Sequence, residues 1–99
     1  MNTTDRNIEI AERAIEDLEL LRANSGGPTE VASIAQLVAV PSGNVLDSEK
    51  RNNDRRAEAW LAICSVCVAL DKNPRRPEIH ALWDRAIGAT KHWREGLQT

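Results

Sequence analysis

At 99 residues the chain has room for one domain with a modest core, so residues 1–99 are expected to form a single helical domain. An apolar fraction of 41% beside 28% charged residues excludes a disordered polymer, and a net charge of −2 excludes a generally basic nucleic-acid binder while leaving room for a local basic patch. No cationic N-terminal stretch precedes an apolar one, and the longest apolar run, about 12 residues, is shorter than the roughly 20 of a membrane span. The expectation is a cytoplasmic protein with no membrane contact and with its two cysteines reduced.

The first predicted helix covers about 4–24. Ile8, Ala11, Ala14, Ile15, Leu18 and Leu21 recur at helical spacing and share one face. Ser25-Gly26-Gly27-Pro28 then ends it, since neither two glycines nor a proline continue a helix without cost. Pro28 suits the first position of a short second helix, about 28–39, with Glu30 in its first turn. Pro41-Ser42-Gly43-Asn44 breaks that helix, and Asp47 or Ser48 can cap a third, about 48–71.

The third helix changes character along its length. From Ser48 to Arg56 it is polar on every side, and from Ala57 onward it is apolar on nearly every side. Trp60, Leu61, Cys64 and Val68 mark one face, while Ala59, Ile63, Val66 and Leu70 mark another. A helix apolar all round is normally covered from several directions. The expectation is therefore a central helix packed by the first and fourth, with its polar half projecting. Asp71-Lys72-Asn73-Pro74 forms a turn, and the fourth helix, about 76–97, follows with Pro77 near its start. Ile79, Leu82, Trp83, Ala86, Ile87, Trp93 and Leu97 form its apolar stripe. The fold class is all-α: a compact antiparallel bundle of three long helices and one short one.

Cys64-Ser65-Val66-Cys67 has the spacing of a redox or zinc motif. The redox reading expects a strand leading into a helix, and no strand pattern occurs. A zinc site would draw on His80 or His92, which lie ~18 Å apart along one helix and so cannot share an ion. The cysteines are read as packing residues, with no metal and no cofactor expected. The chain has no nucleophile elbow, phosphate-binding glycine loop or HExxH, so no catalytic residue is assigned and the protein is read as a non-enzyme.

Two surface patterns remain. Asp5, Glu9, Glu12, Glu16 and Glu19 are spaced four, three, four and three apart, which builds an acidic ridge on the first helix. Like charges at this spacing destabilise a helix, and the dipole favours only those near its start. The ridge reads as a docking edge for a basic partner, as a mimic of nucleic-acid charge, or as a face that is solvated or paired with the basic cluster Lys50, Arg51, Arg55 and Arg56. The second pattern spans residues 31–45, where Ile34, Ala35, Val40 and Val45 fall at packing positions of a helix-turn-helix. This segment loosely resembles the motif of bacterial repressors, which implies that the basic cluster meets DNA phosphates. It departs from that motif at Ala39, where a turn glycine is usual, at Gly43, inside the implied recognition helix, and at Asp47 and Glu49, which would face phosphates.

The primary expectation is a small protein-protein interaction module that binds a macromolecular partner, in the manner of a phage- or mobile-element-encoded inhibitor or regulator. A marginal core also fits a homodimer. The alternative is a dimeric helix-turn-helix-like DNA-binding transcription regulator.

Overall fold

The computed structural model describes residues 3–40 and 47–98. Four helices occur in chain order: α1 (Thr3–Ala23), α2 (Pro28–Val38), α3 (Asp47–Lys72) and α4 (Ile79–Gln98), with no strand among the described residues. The helix long enough to set the shape is α3. Its 26 residues span ~39 Å at the usual helical rise, which accounts for the 41 Å long axis of the molecule. No helix is long and apolar enough to cross a membrane among the described residues.

The local chemistry of the α1 end explains the first turn of the chain. Ser25 adopts a left-handed conformation with φ 53°, and the Gly26 N–H donates to the Leu21 carbonyl at 2.8 Å. This closes orphan carbonyls of the last helical turn. Gly26 itself is demanded by packing, because a Cβ there would lie 2.9 Å from the Leu21 Cβ. Pro28 then opens α2 as expected, and the Glu30 carboxylate accepts the Gly27 N–H at 3.4 Å. The start of α4 differs from expectation, at Ile79 rather than about 76. Pro77 disfavours the helical region for Arg76, and the segment instead forms turns in which Arg76 N–H bonds Asn73 O and Ile79 N–H bonds Arg76 O. The segment 41–46, which holds Pro41, Gly43, Val45 and the position that would cap α3, lies outside the described residues.

The helices close into a ring. α1 packs on α2 and α4, α3 packs on the same two helices, and α1 and α3 stand diagonally without backbone approach among the described residues. Of the expectation of a central third helix packed by the first and fourth, the fourth does pack on α3, and the first is corrected to α2. Ala11, Ala14 and Leu18 of α1 face Val31, Ile34 and Val38 of α2, and α3 adds Ala59, Ala62, Ile63 and Val66 to the shared core. Trp83 and Trp93 of α4 supply its aromatic bulk. The many alanines let the helix axes come close, so a chain without Phe or Tyr still seals an interior. Thr90 is fully buried, and its hydroxyl is satisfied by donating to the Ala86 carbonyl at 2.8 Å.

One charged side chain sits in this interior. Arg56 is 5% exposed. Its Nε donates to the Val38 carbonyl at 2.8 Å, its Nη1 donates to Asn7 Oδ1 at 3.2 Å, and its guanidinium lies 5.0 Å from the centre of the Trp93 ring. Val38 ends α2, so the cation meets both an orphan carbonyl and the negative end of that helix. Burial lowers the Arg56 pKa, yet it starts high enough that the side chain stays charged. The polar half of α3 is docked as well, since Asn52 and Arg55 lie against Gly96 of α4.

Three substitutions at two positions test this account. Arg56→Ala leaves the Val38 carbonyl and Asn7 without their donor, and is expected to destabilise the fold by about 2–4 kcal/mol in urea denaturation. Arg56→Lys keeps the charge but lacks the planar fork, and should recover only part of that loss. Ser25→Gly relieves the left-handed conformation and should raise stability by about 1 kcal/mol in the same measurement.

Candidate functional site

The acidic ridge follows from the placement of α1. Its apolar face is sealed by α2 and α4, and Asp5, Glu9, Glu12, Glu16 and Glu19 are all exposed. Glu19 lies 3.3 Å from Lys91 of α4, an exposed pair of small energetic weight. Among the described residues, no ion pair engages Glu9, Glu12 or Glu16. Their pairing with the basic cluster does not form, because that cluster is on the diagonal helix.

The basic cluster itself is divided by helical geometry. Lys50 and Arg51 are exposed, Arg55 is half-buried beside Gly96, and Arg56 is buried. The inclusion of Arg56 in a surface cluster is thus corrected. It lies three residues before Ala59 and seven before Ile63, so it extends the core stripe of α3 by one turn. Lys50 and Arg51 are what the α3 start presents to solvent from this set. The loop of the helix-turn-helix-like segment, with Gly43 and Val45, and the side chains of Asp47 and Glu49 lie outside the described residues.

The more informative surface is the outer face of α3. With neighbours only at α2 and α4, its inner stripe is buried and its second stripe points to solvent. Trp60 is 36% exposed, Leu61 56% and Val68 52%, with half-buried Cys64 between them. These residues were recognisable in sequence as a separate face. That they lie uncovered follows from the ring arrangement.

Both cysteines are free and half-buried. Cys67 Sγ donates to the Pro28 carbonyl at 3.4 Å and so ties α3 to the start of α2. Burial, with the neighbouring Cys67 in second place, pushes the Cys64 thiol up. Among the described residues no group of three His, Cys, Asp or Glu side chains could hold a metal ion. The chemistry available here is packing and weak hydrogen bonding.

Two concavities flank α2. A cleft of about 390 Å³ between α1 and α2 is floored by Leu20, Leu21, Ile34 and Leu37 and rimmed by Arg13, Asp17 and Glu30. A second cavity, about 410 Å³, opens at the end of the bundle where the α1–α2 and α3–α4 turns meet. Its lining combines Leu70, Ile79 and Trp83 with Arg22, Arg75, Arg76 and His80. Sequence reasoning missed this cavity, since its residues come from two stretches of the chain, 22–28 and 70–83, that only the fold brings together.

Comparison with protein-family models, curated proteins and solved structures finds no match to this chain.

The thiol environment is directly testable. Because the Cys64 pKa is raised, its thiolate fraction at pH 8 is reduced, and only the thiolate attacks an alkylating agent. Iodoacetamide should modify Cys64 in the folded chain more slowly than free cysteine, with the rate midpoint moved to higher pH. Mass spectrometry against time in folded and urea-unfolded protein measures it, and the difference should vanish on unfolding.

Proposed function

We propose that this chain is a non-enzymatic protein-protein interaction module that docks a macromolecular partner through the outer face of α3. The observation that carries the reading is the exposed stripe of Trp60, Leu61 and Val68 on a bundle whose interior is otherwise filled. Trp is the residue most enriched among those that dominate binding energy, and it acts best within apolar surroundings that exclude water. A clustered apolar stripe on a helix supplies the anchors that a partner groove or helix receives. The stoichiometric role of a small inhibitor or regulator suits such a surface. The acidic ridge of α1 lies on the diagonal helix and presents Glu9, Glu12 and Glu16 to a basic partner at a separate contact.

The test is site-specific photo-cross-linking in the native host, with p-benzoylphenylalanine replacing Leu61, Glu12 or, as a control, Gln36 on the exposed side of α2. Position 61 is expected to give a discrete adduct that position 36 does not. Trp60→Ala with Leu61→Asp should weaken capture of the cross-linked partner at least tenfold while helicity is retained. An adduct at twice the mass of the chain identifies the partner as a second copy. Equal adducts at 36 and 61, or capture unchanged by the double variant, overturn the reading. Glu12→Lys with Glu16→Lys reports separately on whether the ridge contributes.

A further inference from the structure

The end of the bundle where the α1–α2 and α3–α4 turns meet carries a cavity whose charge runs against that of the chain as a whole. The protein has a net charge of −2, yet every ionisable side chain lining this cavity is basic. Arg22 comes from the last turn of α1, Arg75 and Arg76 from the α3–α4 turn, and His80 from the start of α4. Asp84 pairs with Arg22, and Glu78 pairs with Arg76 at 3.1 Å, but neither carboxylate lines the cavity. Arg75 and His80 have no side-chain partner among the described residues. Arg22 and Arg76 are thus each balanced by a carboxylate outside the cavity, and Arg75 leaves a positive excess on its lining.

The remainder of the lining defines the shape of a ligand. Leu70, Ile79 and buried Trp83 make the apolar part of the lining. Gly26 and Gly27 bring backbone without side chains to the wall. Gly27 is also the N-cap of α2, and its N–H is taken by the Glu30 carboxylate at 3.4 Å, so that helix end is already balanced and the cavity relies on its side chains for positive charge. At about 410 Å³ the cavity lies within the range of small-molecule sites, roughly 300–1,000 Å³, and is far larger than one bare oxyanion requires.

We infer that this cavity binds a small organic anion, an oxyanion head carried on a flat apolar body. Guanidinium groups present paired N–H donors that match the two oxygens of a carboxylate or phosphate. The apolar body would displace water from Leu70, Ile79 and Trp83. The site stands on its own residues and is independent of the α3 face, so either can fail without the other.

The experiment uses four probes with the full chain: phenyl phosphate, benzoate, inorganic phosphate and phenol. Amide and Trp83 indole chemical shifts are followed by NMR during each titration. At least one of the first two probes is expected to bind saturably at one site, at least tenfold more tightly than inorganic phosphate and phenol. The preference between phenyl phosphate and benzoate identifies the oxyanion. Arg75→Ala with Arg76→Ala removes two exposed turn residues and should weaken binding at least tenfold with helicity retained, whereas Arg13→Ala on the far cleft leaves it unchanged. Inorganic phosphate binding as tightly as phenyl phosphate would reduce the site to an unspecific cationic surface and overturn the proposal. Phenol binding equally well, no saturable binding of either organic anion, or an undiminished double variant would do the same.

Discussion

The guanidinium of Arg56 is the point at which all four helices meet. It grows from α3, bonds the last carbonyl of α2 and the Asn7 side chain of α1, and lies over Trp93 of α4. Removing a charge from water is costly unless hydrogen bonds and opposing partial charge replace the lost solvation. Here the replacement comes from a helix terminus, an amide oxygen and an aromatic face rather than from a carboxylate. None of these partners can be met unless the helices already stand in their ring. A buried cation of this kind therefore adds orientation to a core of alanines and aliphatic side chains that would otherwise tolerate sliding.

The ring order has a direct consequence for the surface. A helix at a corner of four touches two neighbours and keeps an outer side. For α1 that side is polar and acidic, and for α4 it carries His92 and Arg85. For α3 it sets an apolar stripe, Trp60, Leu61 and Val68, among polar residues such as Asp54, Glu58 and Ser65. The inner stripe through Ala59, Ile63 and Val66 already meets α2 and α4, so no place in the interior remains for Trp60, Leu61 and Val68. The apolar character all round this helix is thus two separate properties, one serving the core and one left outside it.

How much of this could be read from sequence depended on whether the property was local. Periodicity located α1, α2 and α3 closely, and the Gly26-Gly27-Pro28 break marked the first turn because its cause lies within a few residues. The start of α4 was displaced by the turns that Asn73 and Arg76 form, a competition that Pro77 alone does not reveal. Arg56 stood in the core register of α3, three and seven residues before Ala59 and Ile63, but its charge masked that signal. Which helices neighbour α3 is not encoded in its own periodicity at all. The helical wheel separates two apolar faces and is silent about which one a neighbour covers. The terminal cavity is less local still, since Arg22 and Trp83 are brought together only by the closure of α1 on α4.

The distribution of bulk sharpens the meaning of the uncovered face. This chain has no Phe or Tyr and only three tryptophans, two of which fill the core. The third stands on α3 beside Leu61 and is 36% exposed. Isolated exposed apolar residues are ordinary on any protein, and Leu20 on the α1 cleft is one of them. Trp60, Leu61 and Val68 instead share one helical stripe, which is the clustering that the proposed docking face rests on. Stability of the bundle supplies no reason for that stripe, because the interior is complete without it. Docking of a partner, as proposed above, would give that stripe a role, with one of the three tryptophans partly exposed while the other two fill the core.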